Sequence, residues 1–558
     1  MENYLIIIIY CILASYIFIV HGDFFYRKIL NHDVTNVSNY ELGLLGIFAI
    51  SVYALILNFF LKLDNILNLI IIFFPLTFFF KITQKKIKHS FILGIISFLT
   101  LILTHSNRPD GGLYHLPFIN ILNDYKLSFG LSNLHFRFGH TSILQYLSAI
   151  FNNVIFTENG ILIPLSIIFS LIICHFYSEL KKNNNQFYKI LLFFLLFTII
   201  YSMNNYAKYG NDKPGHMFFF LTILYFFKEE TNKKNDFLNP KIFLFSIYTF
   251  LIKPFFVFIL FLPIYFLIRN PKIVNSNKRL LIIGFLVMFL WTLKNVFISS
   301  CAIYPIQFTC FKNLEWTSFH SKQSNPIDVS ASNEAWAKDY PNRKDQSITE
   351  KEYISNFKWV YIWSHNHIKT VFWGILPLVV LIIFFTLSKI RERIILDGNT
   401  KRKIIYLFTI CSISSVYWFF KFPTFRYGAP YIYLLIICAY FLTLFLKKKG
   451  GLYKIKNKTI MVIVFLGFFT VFIKDLSRIY LNFNLKYIDY PWPKKNSFTD
   501  KNEKNTNLPI YDNENELLYY KPYPYSLCMY SKSPCTSEDP GKIAIKKTAF
   551  NNLIYISK

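Results

Sequence analysis

The sequence predicts an all-α polytopic membrane protein, built as a bundle of about 14 transmembrane helices. Three observations predict this fold class. The chain is 54% hydrophobic and 20% aromatic, which is too apolar for a soluble protein. Its apolar residues form repeated runs close to the roughly 20 residues that cross a bilayer. Its Lys and Arg residues lie mostly in short segments between those runs.

The apolar runs define the predicted spans in chain order. The run from Tyr4 to Val20 has no basic segment before it and no small-residue cleavage site after it. We therefore interpret it as a retained span rather than a signal peptide. The later runs lie at about 42–62, 66–80, 90–105, 159–178, 187–202, 216–227, 241–252, 255–268, 280–298, 368–388, 403–420, 428–446 and 459–475.

The basic residues predict the orientation of these spans. Alternation of the spans brings the basic loops to one side, namely 81–88, 181–182, 228–234, 269–279, 389–403 and 447–458. The positive-inside rule makes that side cytoplasmic. This agreement requires residues 241–268 to form a hairpin that reverses at Lys253 and Pro254.

The topology divides the chain into three predicted parts. Residues 1–81 are N-terminal accessory spans, and residues 82–475 are the transmembrane core, with outer loops at 106–158 and 299–367. Residues 476–558 form a small, polar extracytoplasmic tail, too short for a robust core of its own. The net charge of +29 is spread over the loops. Lipid head groups and topology account for it, so we expect membrane lipids and no nucleic acid as partners.

The stretch from Ser106 to Ser142 holds much of the protic chemistry. Leu116 and the apolar residues at helical spacing after it predict an amphipathic helix that lies along the outer membrane surface. Asp110 precedes this helix on a Gly-Gly turn. It is either a catalytic or substrate-binding acid or a helix N-cap, and the two roles can coincide. The other candidates in the stretch are Arg108, Tyr114, His115, His135, Arg137 and His140.

A second acid, Asp212, lies in the short outer turn NNYAKYGNDKPGHM at residues 204–217. The alternative to a functional site is a solvated polar turn. Two separated carboxylates with cations between them suit a reaction on an anionic substrate. One carboxylate deprotonates or orients an acceptor hydroxyl, and the cations hold a phosphate leaving group.

Cations near the ends of spans supply the second half of that chemistry. Each can instead extend its charged group to the membrane interface without contacting a substrate. Arg suits bidentate recognition of phosphate. We assign catalysis to Asp110, His115 and Asp212. We assign substrate binding to Arg108, Tyr114, His135, Arg137, Lys213, Lys253, Lys294, Arg426 and Tyr427.

The cysteines fall into two groups. Cys11, Cys174, Cys411 and Cys438 lie in apolar runs and are interpreted as buried small side chains. The close pairs Cys301–Cys310 and Cys528–Cys535 lie on the predicted outer side and are expected to form two local disulfides. Zinc is the alternative, but no His joins either pair at ligand spacing. We predict no metal at His115, His135 or His140, and no cofactor.

Several segments resemble a known superfamily. An acid after an early span, an outer helix, many spans and a polar outer tail resemble the GT-C membrane glycosyltransferases. A narrower resemblance, to a bacterial family of multi-pass proteins with GT-C-like features and no established activity, covers residues 105–540. It is carried by YHLPFIN (114–120), GLSNLHFRFGHTS (130–142), LIKPFF (251–256), FRYGAP (425–430) and CMYSKSPCT (528–536).

The resemblance implies a sugar transfer outside the cytoplasm, from a polyprenyl-phosphate or -diphosphate carrier, with inversion at the sugar. Asp110 matches the superfamily's first-loop catalytic acid, Asp212 a second acid, and Arg426 a lipid-phosphate contact. The sequence departs from the pattern at Gly111, where the superfamily often has a second acid. The three spans before residue 82 are also more than the superfamily pattern leads us to expect.

The resemblance also implies the partners and the location. The acceptor would be a cell-envelope glycan, lipid or protein, and the protein would lie in the bacterial inner membrane with its site facing the periplasm. The alternatives are a transporter or flippase of lipid-linked glycans, which would not need Asp110 at the outer mouth, and a polysaccharide polymerase or ligase.

Overall fold

A computed structural model describes most of the chain. The described residues are 2–35, 37–77, 83–104, 110–202, 210–228, 240–269, 271, 274, 277–387, 391–392, 398–446, 452–453, 462, 465–470, 472–473, 476–477, 480, 506–511, 517–523, 527–530 and 532–557.

The described chain is mainly helical, as the sequence predicts. The helices are α1 Glu2–Phe24, α2 Asn39–Leu57, α3 Asn65–Phe73, α4 Gln84–Thr104, α5 Leu116–Asp124, α6 Ile143–Ile150, α7 Ile163–Lys182, α8 Gln186–Tyr201, α9 Asp212–Phe227, α10 Pro240–Ile252, α11 Phe261–Arg269, α12 Lys278–Ser299, α13 Pro326–Ala337, α14 Glu350–Ser355, α15 Lys358–Leu387, α16 Gly398–Lys421 and α17 Phe425–Leu446. The strands are β1 Arg391–Glu392, β2 Leu452–Tyr453, β3 Thr506–Tyr511, β4 Leu517–Tyr523, β5 Ile543–Lys547 and β6 Leu553–Ser557.

Within the described residues, seven helices are long and apolar enough to cross a membrane. They are Tyr4–Ile29, Asn39–Leu57, Glu158–Lys182, Lys278–Ser299, Lys358–Leu387, Gly398–Lys421 and Phe425–Leu444. Four shorter apolar helices accompany them, at Asn65–Thr77, Gln186–Tyr201, Lys241–Ile252 and Pro254–Arg269. The architecture is therefore that of a membrane-embedded helical protein.

The helical bundle has two ends. We name them the Lys85 end, after a residue in the first turn of α4, and the Asp110 end, after a residue that follows α4. Helix α4 has 21 residues, so its two ends are about 30 Å apart. At the Lys85 end, Lys228 and Glu179 form an ion pair at 2.9 Å and join α9 to α7. At the Asp110 end, an ion pair between Lys253 and Asp212 joins α10 to α9.

The predicted reversal at Lys253 is present. Helix α10 ends at Ile252, and a 3₁₀ segment Pro254–Leu260 leads into α11. The Phe256 ring lies 5.7 Å from His216, near the start of α9. The Tyr265 ring lies 5.5 Å from Phe226, near the end of the same helix. Residues 240–269 therefore run toward the Asp110 end and back again.

Glycines bring α1 and α2 into close contact. A Cβ atom on Gly22 would lie 1.7 Å from the backbone oxygen of Leu42, and one on Gly46 would lie 1.8 Å from the backbone oxygen of Phe18. Small residues at such crossings let helix backbones approach inside a membrane. The backbones of α1 and α2 are therefore in direct contact at these two glycines.

Helix α5 forms where the sequence predicts a surface helix, and Asp124 on its polar side is exposed, but two other polar residues on that side are buried. Asn120 and Asn123 are only 4% and 8% exposed. The Asn123 amide donates to the backbone oxygens of Leu63 at 2.6 Å and Ala149 at 3.0 Å. Part of the polar side predicted to lie at the outer surface is therefore buried, because the Asn123 amide donates to backbone oxygens inside the protein.

The described part of the tail packs on the loop that follows Asp110. Strands β5 and β6 pair antiparallel, and β6 continues alongside Phe129. The Phe129 N–H donates to the Leu553 carbonyl at 2.8 Å. The Met529 N–H donates to the Gly112 carbonyl at 2.9 Å, and a Cβ on Gly112 would lie 2.4 Å from the Met529 sulfur. The tail is thus part of the structure around Asp110.

Candidate active site

Asp110 lies directly before the π-helical turn Gly111–His115, which leads into α5. Its side chain makes no capping hydrogen bond to that turn. The carboxylate is 37% exposed, and its Oδ1 lies 4.0 Å from Nη1 of Arg137. The N-cap alternative therefore has no support in this geometry, and the carboxylate is accessible to a substrate.

Tyr114 and His115 lie near the Asp110 carboxylate, in the turn that follows it. Their ring centroids are 4.2 Å apart, and the Arg137 guanidinium carbon lies 5.0 Å from the Tyr114 ring. Burial raises the pKa of the Tyr114 hydroxyl, and the Asp110 carboxylate raises it further. Tyr114 is therefore a protonated hydrogen-bond donor at neutral pH.

The second half of the site is built around Asp212, the first residue of α9. Its Oδ1 accepts from the Lys253 ammonium, and its Oδ2 lies 3.7 Å from Nε of Arg426. Lys253 Nζ also lies 3.7 Å from the centroid of the Tyr427 ring. Nη2 of Arg426 donates to the Tyr427 hydroxyl at 3.1 Å. One carboxylate thus holds two cations on an aromatic surface.

Chain reversals bring these groups together. Lys253 is at the tip of the hairpin between α10 and α11, and Arg426 is in the first turn of α17. The buried His216 ring donates from Nε2 to the Arg426 carbonyl at 2.8 Å, which joins α9 to α17. Proline at position 254 favours the reversal because it has no N–H to continue the helix ladder.

The two halves share one electrostatic environment around His115. Burial lowers the pKa of the His115 ring to about 4. The carboxylates of Asp110 and Asp212 both oppose this shift, while Arg137 and Lys253 add to it. Both acids and both cations are thus close enough to influence one ring. His115 is a neutral imidazole at pH 7.

The site has an excess of positive charge. Three carboxylates, Asp110, Asp212 and Glu538, face four cations, which are Arg137, Lys213, Lys253 and Arg426. Arg426 remains 36% exposed despite its ion pair. A pocket with surplus cations and fixed guanidinium groups suits a phosphate-bearing ligand.

The structure gives His135 a positioning role. Its Nδ1 accepts from the Arg137 backbone N–H at 3.1 Å, and its Nε2 lies 3.5 Å from Oε1 of Glu538 in the tail. Burial, together with the nearby Arg137 and His140, lowers the pKa of His135 to about 3. The ring is therefore neutral, so its contact with Glu538 is not an ion pair at neutral pH.

The remaining predicted substrate-binding residues are Lys213, Lys294 and Arg108. Lys213 is half-buried next to Asp212. Lys294 is buried, and its ammonium donates to the backbone and side-chain oxygens of Asn58, each at 2.9 Å. The Lys294 ammonium thus binds the end of α2 at Asn58. This differs from the substrate contact that the sequence predicts for it. Arg108 lies outside the described residues.

No group of three or more His, Cys, Asp or Glu side chains in the described ranges is placed to hold a metal ion. His140 lies against the Tyr304 ring at 5.4 Å. Burial, together with the nearby Arg137 and Lys253, lowers the pKa of His140 to about 3. Its surroundings are aromatic and cationic.

The chain was compared with protein families, curated proteins and solved structures. The model of a family described as a domain of unknown function, DUF8201, matches residues 4–433. The chain belongs to this family. No curated protein and no solved structure matches it. The DUF8201 region contains Asp110, Asp212, Lys253 and Arg426, whereas Glu538 lies beyond it.

Both predicted disulfides are present. Cys301 pairs with Cys310 inside the DUF8201 region, and Cys528 pairs with Cys535 after it. The first closes a loop that places the Tyr304 ring against Gly139 and His140. The second closes the loop that contains Met529. Each disulfide therefore supports a segment that contacts the Asp110 stretch.

Sequence reasoning missed two residues near the candidate site. Trp336 is exposed, and its ring lies 5.5 Å from the Arg426 guanidinium carbon, which also lies 4.9 Å from the Tyr427 ring. Glu538 reaches His135 from the tail. An isolated Trp in the polar segment NEAWAKD at 333–339 was a signal for the first. Nothing in the sequence marks Glu538.

Proposed function

We propose that this protein is an integral-membrane glycosyltransferase of the GT-C type. It transfers a sugar from a polyprenyl-phosphate or -diphosphate carrier to a cell-envelope glycan, lipid or protein. The observation that carries the proposal is the meeting of Asp110 and Asp212 with Arg137, Lys253 and Arg426 at one end of a membrane-embedded bundle.

The proposed reaction is a single displacement at the anomeric carbon. The acceptor oxygen forms the new bond to the sugar as the bond to the carrier phosphate breaks. Asp110 takes the acceptor proton as general base, and the electron pair leaves with the phosphate. Attack opposite the leaving group inverts the anomeric configuration. Asp110 suits the base role because its carboxylate is exposed and uncapped.

The cations stabilise the leaving phosphate. Arg426 and Lys253 both lie over the Tyr427 ring, at 4.9 Å and 3.7 Å from its centroid. Fixed donors cost little reorganisation as charge develops on the phosphate. In this arrangement Asp212 is a positioning residue that holds both cations, whereas the sequence analysis assigned it to catalysis. The neutral His115 orients groups without adding charge.

The proposed orientation follows the distribution of basic residues. The Lys85 end has Lys85, Lys181 and Lys182 at the ends of α4 and α7, which the positive-inside rule makes cytoplasmic. The site then faces the periplasm of a bacterial inner membrane, and the roughly 14 crossings predicted from sequence connect the two sides.

Transfer by the purified protein tests the proposal. Full-length protein in lipid nanodiscs is supplied with polyprenyl-phosphate and -diphosphate sugars chosen from the glycans that disappear when its gene is deleted. We expect glycosylated acceptor with wild-type protein and with Asp328→Asn, a matched change at an exposed Asp. Asp110→Asn should form at least 100-fold less product.

The flippase alternative predicts a different result. A transporter would move a labelled lipid-linked glycan across vesicles without forming a glycosidic bond, and Asp110→Asn would leave that movement intact. Movement without product, in wild-type protein of full thermal stability, would overturn the transferase proposal.

A further inference from the structure

A large cavity opens at the Lys85 end, between α4, α7 and the helical residues 465–470 and 472. Its volume is about 1120 Å³, which exceeds the usual range of small-molecule sites. Its walls are mainly aliphatic and aromatic, with Ile92, Ile96 and Leu99 from α4, Phe169 from α7, and Phe465 and Phe469 from the third wall.

The third wall is held against the bundle. Gly467 lies against Ile200 of α8, since a Cβ on Gly467 would be 3.6 Å from the Ile200 side chain. The rings of Phe465 and Phe469 stack at 6.2 Å. The cavity is therefore a groove with three protein walls.

One rim of the groove is cationic and polar. Lys85 from the first turn of α4 and Lys181 and Lys182 from the last turn of α7 line it, and all three are exposed. Ser38 and Asn39 at the start of α2 add polar groups. Within the described part of the chain, no carboxylate forms an ion pair with these three lysines.

The cationic rim of the groove is separate from the site around Asp110. None of the residues that line the groove belongs to that site. Helix α4 separates Lys85 from the Asp110 end by about 30 Å. That distance is close to the thickness of a bilayer core.

We propose that this groove binds an anionic phospholipid from the leaflet at the Lys85 end. The acyl chains lie along the aliphatic and phenyl walls, and the phosphate lies among Lys85, Lys181 and Lys182. Basic pockets between transmembrane helices bind anionic head groups in this way. The apolar length of the groove distinguishes a lipid from free phosphate, which would occupy the rim alone. This inference does not depend on the proposed transferase activity.

A bound lipid would link α4, α7 and residues 465–472, which are far apart in the chain. Any ligand that binds only the folded state stabilises it by mass action. We therefore expect anionic lipid to raise the thermal midpoint of the full-length protein. Zwitterionic lipid, which presents no net negative charge to the lysines, should raise it less.

Native mass spectrometry of the detergent-purified full chain tests the proposal, with phosphatidylglycerol or phosphatidylcholine added. We expect one phosphatidylglycerol retained by wild-type protein. The triple variant Lys85→Gln/Lys181→Gln/Lys182→Gln should bind it roughly 100-fold more weakly, since each cation near a lipid phosphate contributes about a factor of five. Lys278→Gln/Arg279→Gln, at exposed cations that begin α12, should bind as wild type does.

A second variant tests the apolar walls. Ile96→Trp narrows the groove without changing charge, and we expect it to reduce phosphatidylglycerol binding at least 10-fold while thermal stability without lipid is kept. Equal binding by the triple variant, equal binding by Ile96→Trp, or full displacement of the lipid by millimolar inorganic phosphate would each overturn the proposal.

Discussion

The two ends of the bundle hold clusters of the same side-chain types, but only one cluster is open to ligands. At the Lys85 end, Glu41 accepts from the Tyr225 hydroxyl at 2.7 Å and from the Lys241 ammonium at 2.5 Å. His175 completes this cluster, with Nε2 3.0 Å from the same hydroxyl. Glu41 is 3% exposed, whereas Asp110 at the opposite end is 37% exposed.

The difference separates a structural network from a candidate site. In the Glu41 cluster every named group has its partner inside the protein, and the partners come from α2, α7, α9 and the start of α10. Buried charges require such partners. In the Asp110 cluster, Arg426 and Asp110 keep surface that a ligand can cover. Burial of an ionisable group in a membrane protein is therefore not enough to identify a site.

The largest effect expected from this comparison is on stability, at Glu41. Glu41→Ala removes the buried carboxylate that pairs with Lys241, whose side chain is 12% exposed, and breaking such a pair typically costs about 3–5 kcal/mol. We expect the thermal midpoint in detergent to fall steeply or the protein to fail to accumulate. Glu315→Ala, at an exposed partner of Lys546, should be near wild type. Equal midpoints for the two variants would show that the Glu41 cluster does not hold the helices.

The second effect is on transfer, at Asp110. Asp110→Asn removes the base while keeping the shape, so we expect the rate to fall at least 100-fold. The thermal midpoint should stay within error of wild type, because the exposed carboxylate holds no helix together. A variant that loses stability and activity together would place Asp110 with Glu41, among the structural groups.

Sequence reasoning found the parts of the Asp110 site that local rules govern. Acids and cations at the ends of apolar runs, the reversal at Lys253 and Pro254, and the two disulfides each follow from a few neighbouring residues. It could not find contacts that depend on distant pairing. Lys294 donates to Asn58, 236 residues away, and Tyr125 donates to the Ser533 carbonyl, 408 residues away.

The error in α5 has the same origin. The alternation of apolar and polar residues was read correctly as a helix, but polar residues on a helix face water only if nothing else covers them. Asn123 is covered by backbone groups of Leu63 and Ala149. A membrane protein with a folded outer layer can bury both sides of such a helix, and the hydrophobic pattern alone does not reveal that layer.

The third prediction concerns the disulfide in the tail. Cys528→Ser/Cys535→Ser should lower stability by at most about 2–3 kcal/mol, because the closed loop is short. The loop contains Met529, whose N–H donates to Gly112 two residues after Asp110. We therefore expect transfer to fall several-fold as well.

The control for this change is Cys174→Ser, which removes a half-buried thiol that is not in a disulfide. Peptide mapping without reduction should show the Cys528–Cys535 crosslink in wild-type protein. Wild-type transfer by the double Ser variant would show that the tail and the Asp110 site are independent.

The smallest expected effect is on the pH dependence of stability, and it sharpens the comparison at His115. Burial lowers the pKa of His115 from 6.5 to about 4 in the folded protein. Between those values the unfolded chain binds more protons than the folded one, so stability increases with pH in this window. The contribution of His115 is complete above pH 6.5 and is lost as the pH falls toward 4.

His115→Gln removes the titrating group, so the thermal midpoint of this variant should fall less between pH 7 and 4.5 than that of wild type. The rings of His135 and His140 remain in the variant, and burial also lowers the pKa of each to about 3, so part of the slope should persist. If the two proteins show the same slope, His115 is protonated at the same pH in both states, and it cannot be the neutral ring that both carboxylates surround.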